Sequence, residues 1–147
     1  MHIASYSFCL LFAVCYLLTA NTMNKINLQE KLSLIDKHYS PRIISELNGQ
    51  LLKVVKFSGP FPWHHHETED EMFLVVKGRF RMEFREPGED TQREVWLEQG
   101  ELIVVPHGME HRPVADEEVE VLLFEPASTL NTGNVRNEFT VPELEWI

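Results

Sequence analysis

The stretch GPFPWHHHETEDEMFLVVKG, residues 59–78, and its continuation GELIVVPHGMEH, residues 100–111, decide how the chain is read. On an extended strand, residues i and i+2 project from one face, so His64 and His66 point together while His65 points away. Two imidazoles one pleat apart can chelate a single cation. The chain then crosses the acidic run Glu67-Thr-Glu-Asp-Glu71 and enters an apolar segment headed by Glu71. A carboxylate there is costly to bury unpaired, and a metal ion or another cationic partner removes that cost. Pro106 ends a strand because it lacks an N–H, Gly108 suits a turn, and the pair delivers His111 to the next strand. Taken alone, three histidines beside an acidic stretch are also what a solvated, charge-paired loop looks like, and the motif by itself does not separate the two.

On the N-terminal side, Asn27 followed by Glu30 has the pattern of a helix cap with its reciprocal glutamate. Leu28, Leu32 and Ile35 recur at helical spacing, which predicts a short helix running to about Lys37. Asn48-Gly49 between segments 42–47 and 50–57 is a two-residue hairpin signal. Phe80, Met82 and Phe84 alternate with charged residues as in a half-buried strand. A turn at 86–90, a strand at 95–97, another at 102–105 and acidic Asp116-Glu117-Glu118 ahead of 119–125 complete about eight short strands at regular spacing, the signature of an all-β sandwich or barrel. The expected organisation is a leader at 1–22, a helical segment at 23–39, one β domain at 40–126 and an irregular tail at 127–147, whose Phe139, Leu144, Trp146 and Ile147 can dock on the surface.

Composition narrows the function. Thirteen Lys and Arg against 23 Asp and Glu give a net charge of −10, and every charged residue lies at or after Lys25. So acidic a body repels phosphate backbones, and with no basic patch in view no nucleic-acid partner is expected. Cys9 and Cys15 both fall in the leader, which leaves the body without a disulfide framework, thiolate nucleophile or cysteine-ligated zinc. The apolar run at 3–18 has signal-peptide length but is short for a membrane span, and no stable span is expected in the body. Because the basic start of an export signal is missing, Met23 reads as a natural cytoplasmic beginning, with export as the alternative.

The two stretches closely resemble the first and second motifs of the cupin superfamily, in the right order. The resemblance covers residues 59–115 in detail and about 40–126 in strand rhythm. It implies an all-β fold, an antiparallel, jelly-roll-like β-barrel with a short N-terminal helix, and a metal held in the barrel mouth. His64 and His66 match the two histidines of the first motif, Glu71 its glutamate, and His111 the histidine of the second. Asp70 competes with Glu71, but the spacing to Gly78 favours Glu71. Gly59 stands one residue closer to His64 than is usual, and Ala115 stands where the second motif often ends in Asn; neither position supplies a ligand in the family.

A site of three imidazoles and one carboxylate accepts Fe(II), Mn(II), Ni(II), Cu(II) or Zn(II), and softness does not choose among them. The resemblance thus implies a mononuclear divalent transition metal that binds a small oxygen-rich substrate, with dioxygenase or sugar-isomerase chemistry. The rival readings are a non-catalytic small-molecule sensor and a metal-braced homodimer, since small cupins often pair. No serine elbow, phosphate loop or dinucleotide fingerprint is present, and no catalytic acid or base can be assigned. Trp63 and Trp96 read as core or interface residues, His107 as an exposed turn residue, and His38 as the C-terminal residue of the helix, where its dipole is favourable. Lys53, Arg81 and Glu83 would line the pocket if their strand faces turn inward.

Overall fold

The computed structural model describes residues 23–86 and 92–147. Residues 1–22, read as a leader and holding both cysteines, and most of the turn read at 86–90 lie outside the described residues. The first element, α1 (Leu28–Ser33), begins as its cap predicts: the Asn27 carbonyl oxygen of the side chain accepts from the Gln29 and Glu30 amides at 3.0 and 3.3 Å, and its Nδ2 donates to Glu30 at 3.3 Å. The helix is shorter than the expected run to Lys37. The Leu34 and Ile35 amides bond back to the Lys31 and Leu32 carbonyls, a tightened last turn that closes the helix. The chain then passes through Tyr39 at φ 55° to enter the sheet. His38 therefore lies beyond the helix, and its partner is Glu118 at 2.7 Å rather than the helix dipole. Leu32 and Ile35 seat the helix in a small cluster with Ile44 and Val54.

Seven strands follow: β1 (Arg42–Leu47), β2 (Gln50–Pro60), β3 (Glu71–Lys77), β4 (Arg79–Arg85), β5 (Gln92–Glu98), β6 (Leu102–Val105) and β7 (Glu110–Pro126). All pairings between them are antiparallel, in the order β1-β2-β7-β3-β6, with β4 joined to both β7 and β5. The segments expected as separate strands at 111 and at 119–125 are one 17-residue strand. Its first part pairs with β4 and its second with β3; the exposed Asp116-Glu117-Glu118 run marks this change of neighbour, not a turn. The result is the all-β cupin-type barrel, although the sheet is not closed: among the described residues β5 and β6 each pair with one strand only, and beyond β2 the strand β1 has only an isolated bridge, from Ile43 to Trp146.

Strand parity explains the core. Phe80 and Met82 are fully buried and Phe84 nearly so, while the alternating arginines of β4 point outward. A buried aromatic such as Phe80 contributes about 1.5–3 kcal/mol by leaving water. With Phe57, Phe73, Val119 and Val121 these side chains fill the barrel. The tail docks as its apolar residues suggest: Phe139 packs on the main core, Trp146 bridges to Ile43, and Ile147 reaches the helix cluster.

Candidate metal centre

The 61–66 segment runs on from β2 alongside the start of β7 without itself being a regular strand. Phe61 donates to the Pro113 carbonyl at 3.0 Å, and His64 exchanges two backbone hydrogen bonds with His111, at 3.1 and 2.9 Å. The parity argument survives the loss of regular strand: His64 and His66 are 3% and 4% exposed, whereas the His65 side chain turns outward to Glu67 at 3.1 Å. Glu71 opens β3, and its inward face carries the carboxylate to the same point. His64, His66, Glu71 and His111 thus come together, each buried, with one donor atom apiece all within 4.8 Å of one another.

The orientation of these rings suits a cation. His64 Nδ1 lies 3.0 Å from the Pro62 carbonyl and His111 Nδ1 2.8 Å from the Met109 carbonyl. A carbonyl can only accept, so each Nδ1 carries the proton and each Nε2 presents a lone pair inward, the tautomer a metal requires. His66 Nε2 and His111 Nε2 stand 3.3 and 3.5 Å from Glu71 Oε2. These three buried atoms have no hydrogen-bond partner. Donors about 2.0–2.2 Å from one ion, at angles between octahedral and tetrahedral, are separated by about 2.8–3.6 Å, a range that includes both distances to Glu71. The donor set fits a first-row divalent metal.

Electrostatics point the same way. Burial pushes the His64 pKa down to about 3, reinforced by the neighbouring His111, so the ring is neutral at physiological pH. Burial alone would raise the Glu71 carboxyl, but whenever His111 or His66 carries a proton on Nε2 in place of a lone pair, its hydrogen bond and charge outweigh burial and hold Glu71 well below the usual carboxylate range. A neutral imidazole and an ionised carboxylate are the forms that ligate. Beside the cluster lies a cavity of about 40 Å³, with His64 and Glu71 at one side and an aromatic wall of Tyr39, Phe57, Phe61 and Phe73 at the other. The Tyr39 ring stacks on Phe57 and Phe61 at centroid distances of 5.4 and 4.9 Å, and its hydroxyl donates to the Gly59 carbonyl.

The remaining expectations divide. Asp70 stays out of the cluster: it accepts from the amide of His107 at 2.9 Å and lies 2.8 Å from that residue's exposed ring. Arg81 and Glu83 are on the outer face, where Glu83 sits beneath Arg81 and Arg112 at 2.9 and 2.6 Å. Lys53 does point inward, but it pairs with Glu125 at 2.8 Å and does not line the cavity. Neither tryptophan lies in the core. Arg85 and Arg112 cover the Trp63 ring at 4.0 and 4.8 Å, and Arg79 and Arg81 flank Trp96 at 5.1 and 5.6 Å.

Sequence reasoning missed four contributors. Glu125, two residues along the inward face from Leu123, belongs with Lys53, and only strand parity could have revealed that. Tyr39 reaches the cavity through a left-handed backbone that gives no local signal. Gly133 and Asn134 press on the histidine run from the tail, for which Gly-Asn is a turn signal and nothing more.

A family model described as the Cupin domain matches residues 53–125. The chain is similar to the solved structure of a cupin-2 domain containing protein from Shewanella frigidimarina, with 40% identity, coverage of 69% of this chain and 93% of that one, and a TM-score of 0.63. It is also similar to an acireductone dioxygenase from Phaeosphaeria nodorum, 39% identical over 83 residues, or 52% of this chain and 47% of that protein. Hydroquinone 1,2-dioxygenase from Sphingomonas sp. TTNP3, solved with 4-hydroxybenzoate bound, is 20% identical with a TM-score of 0.64, covers 71% of this chain and 32% of its own, and shares the fold alone. The chain spans about half the length of the curated relatives it matches, 57% and 47%.

Proposed function

The chain belongs to the cupin domain family, and on that premise we propose that it binds one divalent transition metal through His64, His66, Glu71 and His111 and uses it on a small oxygen-donor substrate. The observation that carries this reading is the convergence of three buried, unpartnered donor atoms on one point. Such a cluster is costly unless something positive occupies its centre. The metal, when bound, supplies Lewis-acid polarisation and the redox chemistry that dioxygen needs.

The cavity favours dioxygenase-type over sugar-isomerase chemistry. Its ionisable lining residues are Tyr39, His64 and Glu71, with no lysine or arginine to hold a phosphate. Tyr39 already donates its proton to Gly59, so no spare base is present to carry a proton between sugar carbons. The aromatic wall instead borders an apolar space of about 40 Å³ beside the cluster, which accepts a small apolar group. Among relatives, the protein named acireductone dioxygenase supports the same choice. The apolar lining also supports a second reading, a ligand-binding cupin without turnover. No helix among the described residues is long and apolar enough to cross a membrane. A homodimer is supported by edge strand β6, which leaves Leu102 and Val104 more than half exposed, at 57% and 55%.

Elemental analysis of untagged protein tests the metal assignment. About one transition-metal ion per chain is expected, falling to background in the double variant His64→Ala/His111→Ala. Wild-type protein without stoichiometric metal after reconstitution would overturn it. Oxygen uptake with catechols, β-diketones, thiols and sugar phosphates then separates turnover from binding.

A further inference from the structure

The Cupin domain match ends at Glu125, yet residues beyond it form part of the centre. Asn134 grips His65 on both sides: its amide donates to the His65 carbonyl at 3.0 Å, and its side-chain oxygen accepts from the His65 amide at 2.9 Å. His64 is tied to His111, and His66 accepts from the Gly108 amide at 2.7 Å. All three consecutive histidines are therefore pinned, each by a different part of the chain, and the middle one by the tail.

Gly133 shows how close that contact is. At φ 49° it lies against the histidine run, and a Cβ added there would stand 2.1 Å from the His65 carbonyl oxygen and 3.3 Å from His64 Cδ2. The obstacle is backbone, so it cannot swing aside. The tail is itself held rigid: the fully buried Thr132 hydroxyl bonds the Val135 carbonyl and Thr140, and Asn131 bonds both the Phe139 carbonyl and the Val141 amide. Phe139 in turn meets Tyr39 and Phe61 edge-on at 5.4 and 5.5 Å, and Asn131 lines the cavity. Ser128 donates to Glu69 at 2.9 Å and so also ties down the acidic loop between His66 and Glu71.

We infer that Gly133 and Asn134 are positioning residues for the metal centre, holding the His64–His66 run so that its Nε2 atoms converge with Glu71 and His111. This rests on the metal-binding reading above. Without the Asn134 side chain the His65 amide loses its partner, the run can rotate, and two of four donors move with it. Partners of ligating residues typically contribute 10–100-fold to affinity, so an effect of about 10-fold is the scale expected.

The test uses the full chain, with Co(II) as the probe, in titration calorimetry and visible absorption, and hydrogen exchange of the metal-free protein over 61–72. Asn134→Ala is expected to keep the wild-type circular dichroism, exchange faster over 61–72, bind Co(II) about 10-fold more weakly and change the ligand-field spectrum. Asn134→Asp keeps the acceptor and restores both affinity and spectrum. Gly133→Ala is expected to be worse than Asn134→Ala; if it does not fold, the Asn134 pair decides. Wild-type affinity and spectrum in folded Asn134→Ala overturn the inference while leaving the metal reading intact. Weak binding that Asn134→Asp fails to restore overturns the acceptor role. Wild-type protein that takes up no Co(II) overturns the metal reading and this inference together.

Discussion

The Lys53–Glu125 pair lends itself to a quantitative test, because two descriptions of it make opposite predictions. Both side chains are 1% exposed and lie 2.8 Å apart inside the barrel. If Glu125 were simply an ion-paired carboxylate, its pKa would be depressed and its contribution lost in acid. Burial and the neighbouring Glu71 instead push it up, to about 8 from an ordinary 4.5, against the opposing pull of Lys53. The folded protein then holds a proton that the unfolded chain has released across the window from 4.5 to 8. That contribution is fully present below the unfolded value and is lost as pH rises through the folded one, at about 1.4 kcal/mol per unit. Urea unfolding of chelator-treated wild type and Glu125→Gln, at intervals from pH 5 to 8, reads the difference directly. Wild type should lose stability relative to the variant as pH rises, by a few kcal/mol in all on the order of 1.4 per unit. Lys53→Met at pH 6 leaves a neutral acid with one partner missing and should cost about 1–3 kcal/mol, less than the 3–5 of a stranded buried charge. A difference between wild type and Glu125→Gln that is flat, or that grows with pH, refutes the protonated carboxyl.

Glu83 behaves in the opposite sense. Burial raises its carboxyl, but Arg112 and Arg81 outweigh that and hold it below the usual range, so its contribution is present above about 4.5 and lost as pH falls through the folded value. Glu83→Gln should cost about 1–3 kcal/mol at pH 7, and its thermal melt should approach that of wild type as pH falls through the folded value; equal melts at pH 7 would contradict the pairing. Gly78, between β3 and β4, has φ 85°, and an added Cβ would lie 3.2 Å from the Glu118 carbonyl oxygen. Gly78→Ala should lower the melting temperature more than Gly49→Ala, where φ is 78° but nothing lies within 4 Å; equal losses would show that backbone conformation alone matters.

Much of this architecture was legible because it is written in periods. The alternation in β4 placed Phe80, Met82 and Phe84 correctly, and the Asn27 cap set the start of α1. Strand parity paired His64 with His66, and the resemblance of the two histidine-bearing stretches to the cupin motifs added Glu71 and His111 as candidate ligands before any coordinates. What escaped is what depends on distant partners. The helix stops early because the chain must turn at Tyr39 to reach the sheet, a demand absent from residues 28–37 themselves. β7 runs through Asp116-Glu117-Glu118 because β3 takes over where β4 leaves, so a charge cluster read as lying ahead of the last strand is part of it. Lys53 and Glu125 are 72 positions apart and meet only through the β2–β7 register.

Asp70 and Glu71 show how small a local difference separates two roles. The two acids are adjacent and chemically almost equivalent, and strand parity sends one outward and the other inward. Glu71, at the first position of β3, enters a pocket among three imidazoles, where its carboxylate completes a buried set of cation donors. Asp70, one residue outside, anchors the amide of His107 in the turn that leads to His111. The next amide in that turn, from Gly108, closes back on His66. The first stretch therefore grips the second at both ends of its acidic loop. Three of the four candidate ligands sit within two links of those contacts: His66 bears one, Glu71 adjoins Asp70, and His111 follows the gripped turn. His64 reaches the second stretch by its own exchange of backbone bonds with His111. An Asp70→Ala change would thus loosen the hairpin that presents His111 while leaving every donor atom in place, whereas Glu71→Ala removes a donor and leaves the hairpin tied.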